Sequence, residues 1–418
     1  MGFRRSLRAC KQGPDVRADG APLALALAAF ISFSIAANAG SFRGLGVFPG
    51  DWPEEATPYD ISDDGTVVVG AISTPGEIEA EAFRWTEATG FVRLGNLGGE
   101  YPYSAGVGVS ADGSVVVGSS QSPSSAGWWE PMRWSQATGM FGLGHLEGGL
   151  SDGLATAASA DGSVIVGRSS SSLAPNSYGE AFRWTAATGM VGLGVLTQTD
   201  FVYSLGWGVS ADGSVVIGTA KTPSGTEAFR WTEIEGMVPL GDLPGTIHPN
   251  SVGMDVSADG AIITGYSRVT SLPQSTRAFR WTAANGMEDL GSVPNATHTY
   301  GVRISADGTV IVGRAIVESE NTAILWDATH GMRTLREAML EAGLIQQIEG
   351  WKLESAAAIA ADNLTLVGSG INPAGQREAF IANLGPPTLV QIPTASPTAL
   401  AIFAALLLVA GLAALKLR

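Results

Sequence analysis

The sequence predicts an all-β protein built from repeated four-stranded sheets, and three observations support this. A Ser-Ala-Asp-Gly turn recurs with a period of about 48 residues. Each repeat contains four short strand-like segments separated by turn residues. The first strand of the chain has no partner within its own repeat, and the last repeat lacks its fourth strand. A period of about 40 to 50 residues with four strands per unit is typical of a β-propeller. A linear β solenoid is the alternative, although its repeats are usually shorter.

The repeat is defined by residues at fixed offsets, and each unit is numbered here by its turn aspartate. The turn aspartates of units one to seven are Asp64, Asp112, Asp161, Asp212, Asp259, Asp307 and Asp362. A tryptophan follows in units one to six: Trp85, Trp134, Trp184, Trp231, Trp281 and Trp326. Glycine lies five residues after each tryptophan and leucine nine residues after it. These fixed offsets predict one turn and one strand in constant register, so we interpret both residue sets as structural.

Unit four shows how the four strands arise. An apolar strand ends at Val209, and Asp212-Gly213 supplies the backbone angles of a tight hairpin turn. A β-branched strand follows at 214–218, and a polar loop leads to a third strand at 228–232 with alternating Phe and Trp. A turn at Gly236 opens the fourth strand.

The ends of the repeat region predict how the ring closes. Unit seven stops after its third strand, Glu378 to Ala382, whereas residues 42–48 form a strand that precedes unit one. Leu45 lies 19 residues before Asp64, close to the spacing of fourth-strand leucines in the other units. Pairing the two ends would remove an open sheet edge. We therefore predict a seven-bladed propeller over residues 40–385, closed by the N-terminal strand.

The segments SADGSVVVG, EAFRWTxATGM and GLGxL, which recur in phase over residues 42–385, resemble the HAF-type extracellular repeat family. The resemblance implies a secreted bacterial repeat protein and transfers no chemistry. Units six and seven depart from the pattern, and residues 336–350 between them have helix-forming composition. Met339, Leu340 and Leu344 stand at helical spacing, which predicts a short helix packed over one end of the ring.

Both termini have targeting features. Residues 1–39 combine a basic start, an apolar run and Ala37-Asn38-Ala39, typical of a secretory signal peptide; a membrane anchor is the alternative. A Pro/Thr linker spans 386–397, and residues 398–418 form a hydrophobic helix with a basic tip. Linker and helix together resemble the PEP-CTERM class of bacterial sorting signal, which implies at least transient membrane contact and a sorting protease. The alternative is a permanent tail anchor.

Charge and residue types exclude several functions. Without residues 1–39, Lys416 and Arg418, the chain has 17 basic and 37 acidic side chains, a net charge of about −20. Such acidity argues against nucleic acid as a partner. The four histidines lack metal-ligand spacing, and each turn offers one carboxylate, so no metal or cofactor is expected. The repeated arginines are predicted between neighbouring sheets: Arg84, Arg133, Arg183, Arg230 and Arg280.

The loops divide between two faces because successive strands run in opposite directions. One face has the short, uniform turns, and the other has the longer loops between strands two and three and between units. The second face carries candidate ligand-binding aromatics, Tyr101, Tyr103, Trp128, Trp129, Tyr178, Tyr203 and Tyr300, together with further loop aromatics that include Trp52. Exposed aromatics suit sugars or a partner protein, although half or more of them could pack under their own loops.

We therefore expect a non-enzymatic binding or scaffold protein, exported to the cell envelope, cell surface or extracellular matrix. Its partner would be a polysaccharide or a surface protein. An enzyme acting on extracellular polysaccharide is an alternative, for which acids such as Glu100, Asp152 or Asp200 must converge at the axis. A purely structural surface protein is the third hypothesis, because the fold alone does not decide function.

Overall fold

The computed structural model describes residues 40–46, 55–73, 79–125, 128–150, 152–175, 178–197, 201–246, 250–269 and 275–386. The predicted signal peptide and the predicted C-terminal helix lie outside these ranges. Within them, no helix is both long enough and apolar enough to cross a membrane.

The described residues contain 28 strands and follow the repeat closely. Strand β1 spans Ser41–Gly44, and unit one contains β2 (Glu55–Ile61), β3 (Val67–Ser73), β4 (Ala80–Thr86) and β5 (Gly90–Arg93). Unit two contains β6 (Ser104–Val109), β7 (Val115–Gln121), β8 (Trp129–Ser135) and β9 (Gly139–Gly142), with a 3₁₀ turn at Pro123–Ser125. Unit three contains β10 (Gly153–Ala158), β11 (Val164–Ser169), β12 (Glu180–Thr185) and β13 (Gly189–Gly192).

The later units repeat the same order. Unit four contains β14 (Ser204–Val209), β15 (Val215–Lys221), β16 (Thr226–Thr232) and β17 (Gly236–Pro239). Unit five contains β18 (Ser251–Val256), β19 (Ile262–Val269), β20 (Ser275–Thr282) and β21 (Gly286–Asp289). Unit six contains β22 (Ala296–Ile304), β23 (Val310–Val317), β24 (Glu320–Asp327) and β25 (Gly331–Thr334), followed by helix α1 (Leu335–Glu341). Unit seven contains β26 (Lys352–Ile359), β27 (Thr365–Ile371) and β28 (Arg377–Asn383).

Each unit is an antiparallel meander, as the sequence predicts. Units one to four form separate four-stranded sheets in the order of the chain. Units five and six share one sheet through a single parallel pair, Thr276 with His298. In the sheet of unit seven the order is β1-β28-β27-β26, so the N-terminal strand occupies the fourth position.

The N-terminal strand reproduces the contacts of an ordinary fourth strand. The backbone N–H of Leu45 donates to the Ala379 carbonyl at 2.8 Å, as Leu143 does to Pro131 in unit two. The Gly46 N–H donates to the Glu378 carboxylate at 2.9 Å. Phe42 is buried in the core of units six and seven.

The Asp-Gly turns are built alike because one carboxylate organises each of them. In unit four, Asp212 Oδ1 accepts hydrogen bonds from the Ser210 hydroxyl at 2.7 Å and the Ser214 N–H at 2.9 Å. Gly213 takes a φ of 73°, which a glycine adopts without strain. The bonds from Ser210 and Ser214 lower the pKa of Asp212 to about 2. These contacts give the turn aspartate a structural role.

The core lies between sheets as well as within them. The residue two positions before each repeat tryptophan is buried; it is phenylalanine in units one, three, four and five, as at Phe83, Phe182 and Phe229, and Met132 or Ile324 in units two and six. The repeat arginines reach the next unit: Arg84 Nε donates to the Gly113 carbonyl at 3.3 Å, and Arg183 Nε to the Gly213 carbonyl at 3.2 Å. For these two arginines the predicted position between sheets is confirmed.

Helix α1 is shorter than the segment 336–350 that predicted it. It begins with a capping box, in which Thr334 and Glu337 satisfy each other's backbone N–H. It ends before Gly343, whose φ of 78° does not continue a helix. The helix packs on β24, β25 and β26. Met339 and Leu344 are buried, whereas Leu340 is exposed.

Candidate ligand surface and axial cavity

The alternating strand direction places the two classes of loop at opposite ends of the sheets. The variable-loop face consists of the connections between second and third strands and between units. The turn face consists of the Asp-Gly turns and the glycine turns after each tryptophan. The seven predicted aromatic residues are all described, and all seven belong to three clusters on the variable-loop face. Trp52 lies outside the described residues.

The first cluster belongs to unit two. Tyr103 and Trp129 stack with ring centroids 5.1 Å apart and an angle of 18° between their planes. Two further rings lie beside them in the chain: Trp128 is 49% exposed and Tyr101 is 53% exposed. Gln121 fixes the tyrosine loop, because its side-chain oxygen accepts from the Tyr101 N–H at 3.0 Å. The loops thus present large, planar, half-exposed surfaces.

The second cluster joins units three and four. Tyr178 lies 5.4 Å from both Phe201 and Tyr203, measured between ring centroids. The Tyr203 hydroxyl is 2.7 Å from the hydroxyl of Thr226, so this ring is held from its own sheet. Phe201 and Tyr178 remain about half exposed. Phe201 is a further loop aromatic outside the seven candidates.

The third cluster joins units five and six. Tyr300 contacts Tyr266 edge-on at 4.9 Å and stacks with His298 at 6.0 Å. The Arg314 guanidinium lies 5.2 Å from the centroid of the Tyr300 ring, a cation–π distance. Burial raises the pKa of the Tyr266 hydroxyl. Tyr266, His298 and Arg314 lie on strands, so the focus on loop aromatics missed them.

A small cavity on the axis is lined by first strands from all seven units. Its volume is 120 Å³, and its charged side chains include Asp60, Asp255 and Arg303. Asp60 Oδ2 accepts from the Val109 N–H of unit two at 3.0 Å, and Asp255 Oδ2 accepts from the Ile304 N–H of unit six at 3.0 Å. Each aspartate therefore links its own unit to the next.

Burial of the two carboxylates away from water is the main influence on their pKa values. Burial raises the pKa of Asp60 to about 6, although the positive charge of Arg303 opposes the shift. The Arg303 Nε lies 3.9 Å from the nearer carboxylate oxygen of Asp60. Burial also raises the pKa of Asp255, against the same guanidinium.

Sequence reasoning missed these acids, although a signal was present. They stand four residues before the turn aspartate, just after a β-bulge in the first strand. Units two, three, four and seven have glycine or alanine at this position: Gly108, Ala157, Gly208 and Ala358. A charged residue at a position that is glycine or alanine in the other units is the sequence signal that could have identified this cavity.

The acids named for the enzyme hypothesis occupy other places. Asp152 is 3% exposed and pairs with Arg168 at 3.1 Å. Glu100 is exposed on the connection between units one and two. Neither lines the axial cavity, and Asp200 lies outside the described residues. The described ranges contain no group of three or more acidic, histidine or cysteine side chains placed to hold a metal ion.

Comparison with solved structures decides the fold. The chain is similar to an oligogalacturonate lyase from Vibrio parahaemolyticus at 10% identity, with a TM-score of 0.51 over 82% of this chain and 97% of that one. It is similar to the β-propeller domain of the Trilobed protease from Pyrococcus furiosus at 9% identity, with a TM-score of 0.50 over 80% and 99%. The fold is a β-propeller.

Other matches do not extend this conclusion. A chain from a structural analysis of two prolyl endopeptidases is similar at 12% identity with a TM-score of 0.52, over 79% of this chain but 48% of that one. At such identities the likeness concerns the fold alone. No family model and no curated protein matches the chain.

Proposed function

We propose that this chain is an exported, non-enzymatic binding protein whose seven-bladed propeller is closed by its N-terminal strand. The blade number is supported by the axial cavity, which first strands from all seven units line together. The closure is supported by the pairing of β1 with β28.

A series of turn-to-turn hydrogen bonds also supports the ring. The Ala361 N–H of unit seven donates to the Asp63 carbonyl of unit one at 3.0 Å, and the Asp63 N–H donates to the Ala111 carbonyl at 3.0 Å. The series continues through the turns of units three to six, at Ala160, Ala211, Ala258 and Ala306. The Asn363 side chain then donates to Asp307 at 2.7 Å, which links unit seven to unit six.

The observation that carries the binding function is the exposed aromatic cluster of unit two. A stacked pair, Tyr103 and Trp129, supports a surface on which Trp128 and Tyr101 are about half exposed. Exposing so much aromatic surface is unfavourable unless something covers it. Because the rings are held by stacking and by the strands beneath, they lose little entropy when a ligand binds.

We infer that the ligand is an extracellular polysaccharide, with a surface protein as the second candidate. Aromatic faces stack on the apolar faces of sugar rings, and aromatic residues dominate protein-binding hot spots. Three clusters around one face suit a long or repetitive ligand that contacts several blades at once. The net charge of about −20 disfavours polyanionic ligands.

The termini supply the location in this proposal. A signal peptide at 1–39 would deliver the propeller outside the cytoplasm, and the PEP-CTERM-like segment would hold it at the membrane at least until a sorting protease acts. N-terminal sequencing of the protein recovered from the envelope should then start at Gly40. Recovery of membrane-embedded protein that retains residues 1–39 would favour an N-terminal anchor.

A glycan array tests the function directly. The purified protein should bind a restricted set of polysaccharide fragments, and a Trp128→Ala/Trp129→Ala variant should lose that binding while remaining folded. The same fragments, incubated with the protein and examined by mass spectrometry, should remain uncut. Cleavage of a bound fragment would support the enzyme hypothesis, and an empty array would favour a protein partner or a structural role.

A further inference from the structure

Unit six departs from the repeat at four positions that lie together. Compared with units one to five, unit six has Leu325 in place of arginine and Asp327 in place of a hydroxyl residue. It also has His330 in place of another polar residue, and Arg333 in place of valine, phenylalanine or glutamate. Leu325 and Arg333 are cross-strand partners. In unit one the same pair is Arg84 and Val92. The arginine of this pair therefore lies on the third strand in unit one and on the fourth strand in unit six.

Three of the replacements, Asp327, His330 and Arg333, form a connected polar cluster. Arg333 donates to Asp327 Oδ2 at 2.7 Å, and the Nδ1 of His330 lies 2.9 Å from Asp327 Oδ1. Burial opposes ionisation of Asp327, but its bonds to Arg333 and His330 hold its pKa below the usual range. In unit one the corresponding Thr86 and Thr89 bond only to each other and to the turn backbone.

This cluster forms one wall of a cavity with a volume of 1060 Å³. Helix α1 contributes Ala338, its C-cap contributes Ala342, and the apolar floor includes Leu325, Trp326 and Leu364. The volume is close to the upper end of the range for small-molecule sites, which are mainly apolar with a few polar groups. The corresponding cleft between units one and two, without a helix beside it, measures 390 Å³.

Asn363, one of the residues that line the cavity, has a side-chain oxygen without a hydrogen-bond partner. Asn363 stands where the other six turns have glycine, and it adopts a φ of 63°. Its side-chain N–H donates to Asp307 at 2.7 Å, but its Oδ1 is buried and has no hydrogen-bond partner in the described structure. An unsatisfied buried carbonyl is costly, and a ligand donor would remove that cost.

The charged groups around the cavity are already paired. Arg333 is neutralised by Asp327, and Arg280 lies 3.7 Å from Glu288. Asp307 accepts bonds from Asn363 and Thr309. A charged ligand would have to displace one of these partners, whereas a neutral ligand need not.

We propose that this cavity is a second binding site, which takes a neutral, mainly apolar small molecule carrying one hydroxyl or amide N–H group. The apolar body lies against Trp326 and helix α1, and the donor bonds to Asn363 Oδ1. The site opens among the Asp-Gly turns, so it is separate from the aromatic clusters on the variable-loop face.

The fluorescent probe N-phenyl-1-naphthylamine, which is neutral and has one N–H, tests the proposal. Its emission should rise on titration into the full-length protein and saturate at one probe per chain. Ala342→Trp should fill the cavity and abolish the signal. Ala283→Trp, a similar change on the exposed turn of unit five, should bind as the wild type does. A signal that does not saturate, or that survives in Ala342→Trp, would overturn the proposal.

Asn363→Gly provides a test that does not depend on filling the cavity. Glycine suits the positive φ of this turn, so the fold should persist, and the melting temperature checks this. Loss of the acceptor should weaken probe binding about fivefold, the effect of one neutral hydrogen bond. Unchanged affinity in this variant would contradict the assigned contact. Because Trp128→Ala/Trp129→Ala should bind the probe normally, failure of this site is distinguishable from failure of the glycan-binding function.

Discussion

Replacing Phe42 with alanine tests whether the N-terminal strand closes the propeller. Phe42 is 8% exposed and packs against two aromatic rings of unit seven, Phe380 at 5.2 Å and Trp351 at 5.1 Å. Truncating a buried phenylalanine in a well-packed core costs about 3 to 5 kcal/mol. Because the same strand pairs with β28, we expect the lost packing to destabilise the whole ring rather than a frayed end.

Urea unfolding followed by tryptophan fluorescence measures this loss. The repeat tryptophans are distributed over units one to six, so the signal reports on most of the ring. Phe42→Ala should shift the main transition by the full 3 to 5 kcal/mol, whereas Ser41→Ala, at an exposed position of the same strand, should shift it by less than about 0.5 kcal/mol. A Phe42→Ala protein whose main transition moves by less than about 1 kcal/mol would refute ring closure by this strand.

Three further predictions follow from single residues. Asp60 has a raised pKa in the folded protein, so its contribution to the free energy of unfolding should fall by at most about 3 kcal/mol as pH rises from about 4 through about 6. In urea titrations at several pH values, Asp60→Asn should reduce this dependence of the unfolding free energy on pH. An unchanged dependence would exclude Asp60 as its source. Gly142→Ala places a Cβ 2.0 Å from the Glu130 carboxylate, so the melting temperature of this variant should drop by several degrees. Gly139→Ala is the control, because its Cβ meets open space although φ is 69°. It should show only the smaller cost of backbone strain. Asp212→Ala removes the acceptor of three hydrogen bonds and should lower the free energy of unfolding by about 1 kcal/mol. The loss should be larger at pH 7 than at pH 2, because the pKa of Asp212 in the folded protein is lowered to about 2.

Much of the fold was predictable because the repeat fixes local structure at each position. The turn aspartate, its glycine and the serine two residues earlier build one hairpin whatever surrounds them, as Ser210, Asp212 and Gly213 show. The fourth-strand pattern Gly-Leu-Gly likewise identified β1 as the partner of β28. Helix α1 was recognised from composition, but its packing depended on the space between units six and seven, which no local pattern encodes.

The candidate site was predictable only in part. Strand direction alone assigns Tyr101, Tyr103 and Trp129 to one face, and the structure has them there. That Tyr103 and Trp129 stack depends on two loops whose residues are distant in sequence, so composition could not reveal it. The axial acids were missed for a different reason. Asp60 and Asp255 occupy a position that is glycine or alanine in most other units, and this position was not part of the repeat pattern.

The central claim is that ligand binding belongs to the variable-loop face, and isothermal titration of the strongest array glycan tests it most directly. Trp128→Ala/Trp129→Ala should weaken binding at least about tenfold, as expected when hot-spot aromatics are truncated, while the protein remains folded. Asp212→Ala on the turn face should bind the glycan as the wild type does while melting at a lower temperature. If Asp212→Ala abolished binding and the tryptophan variant retained it, the two faces would be assigned the wrong way round and the account would be wrong.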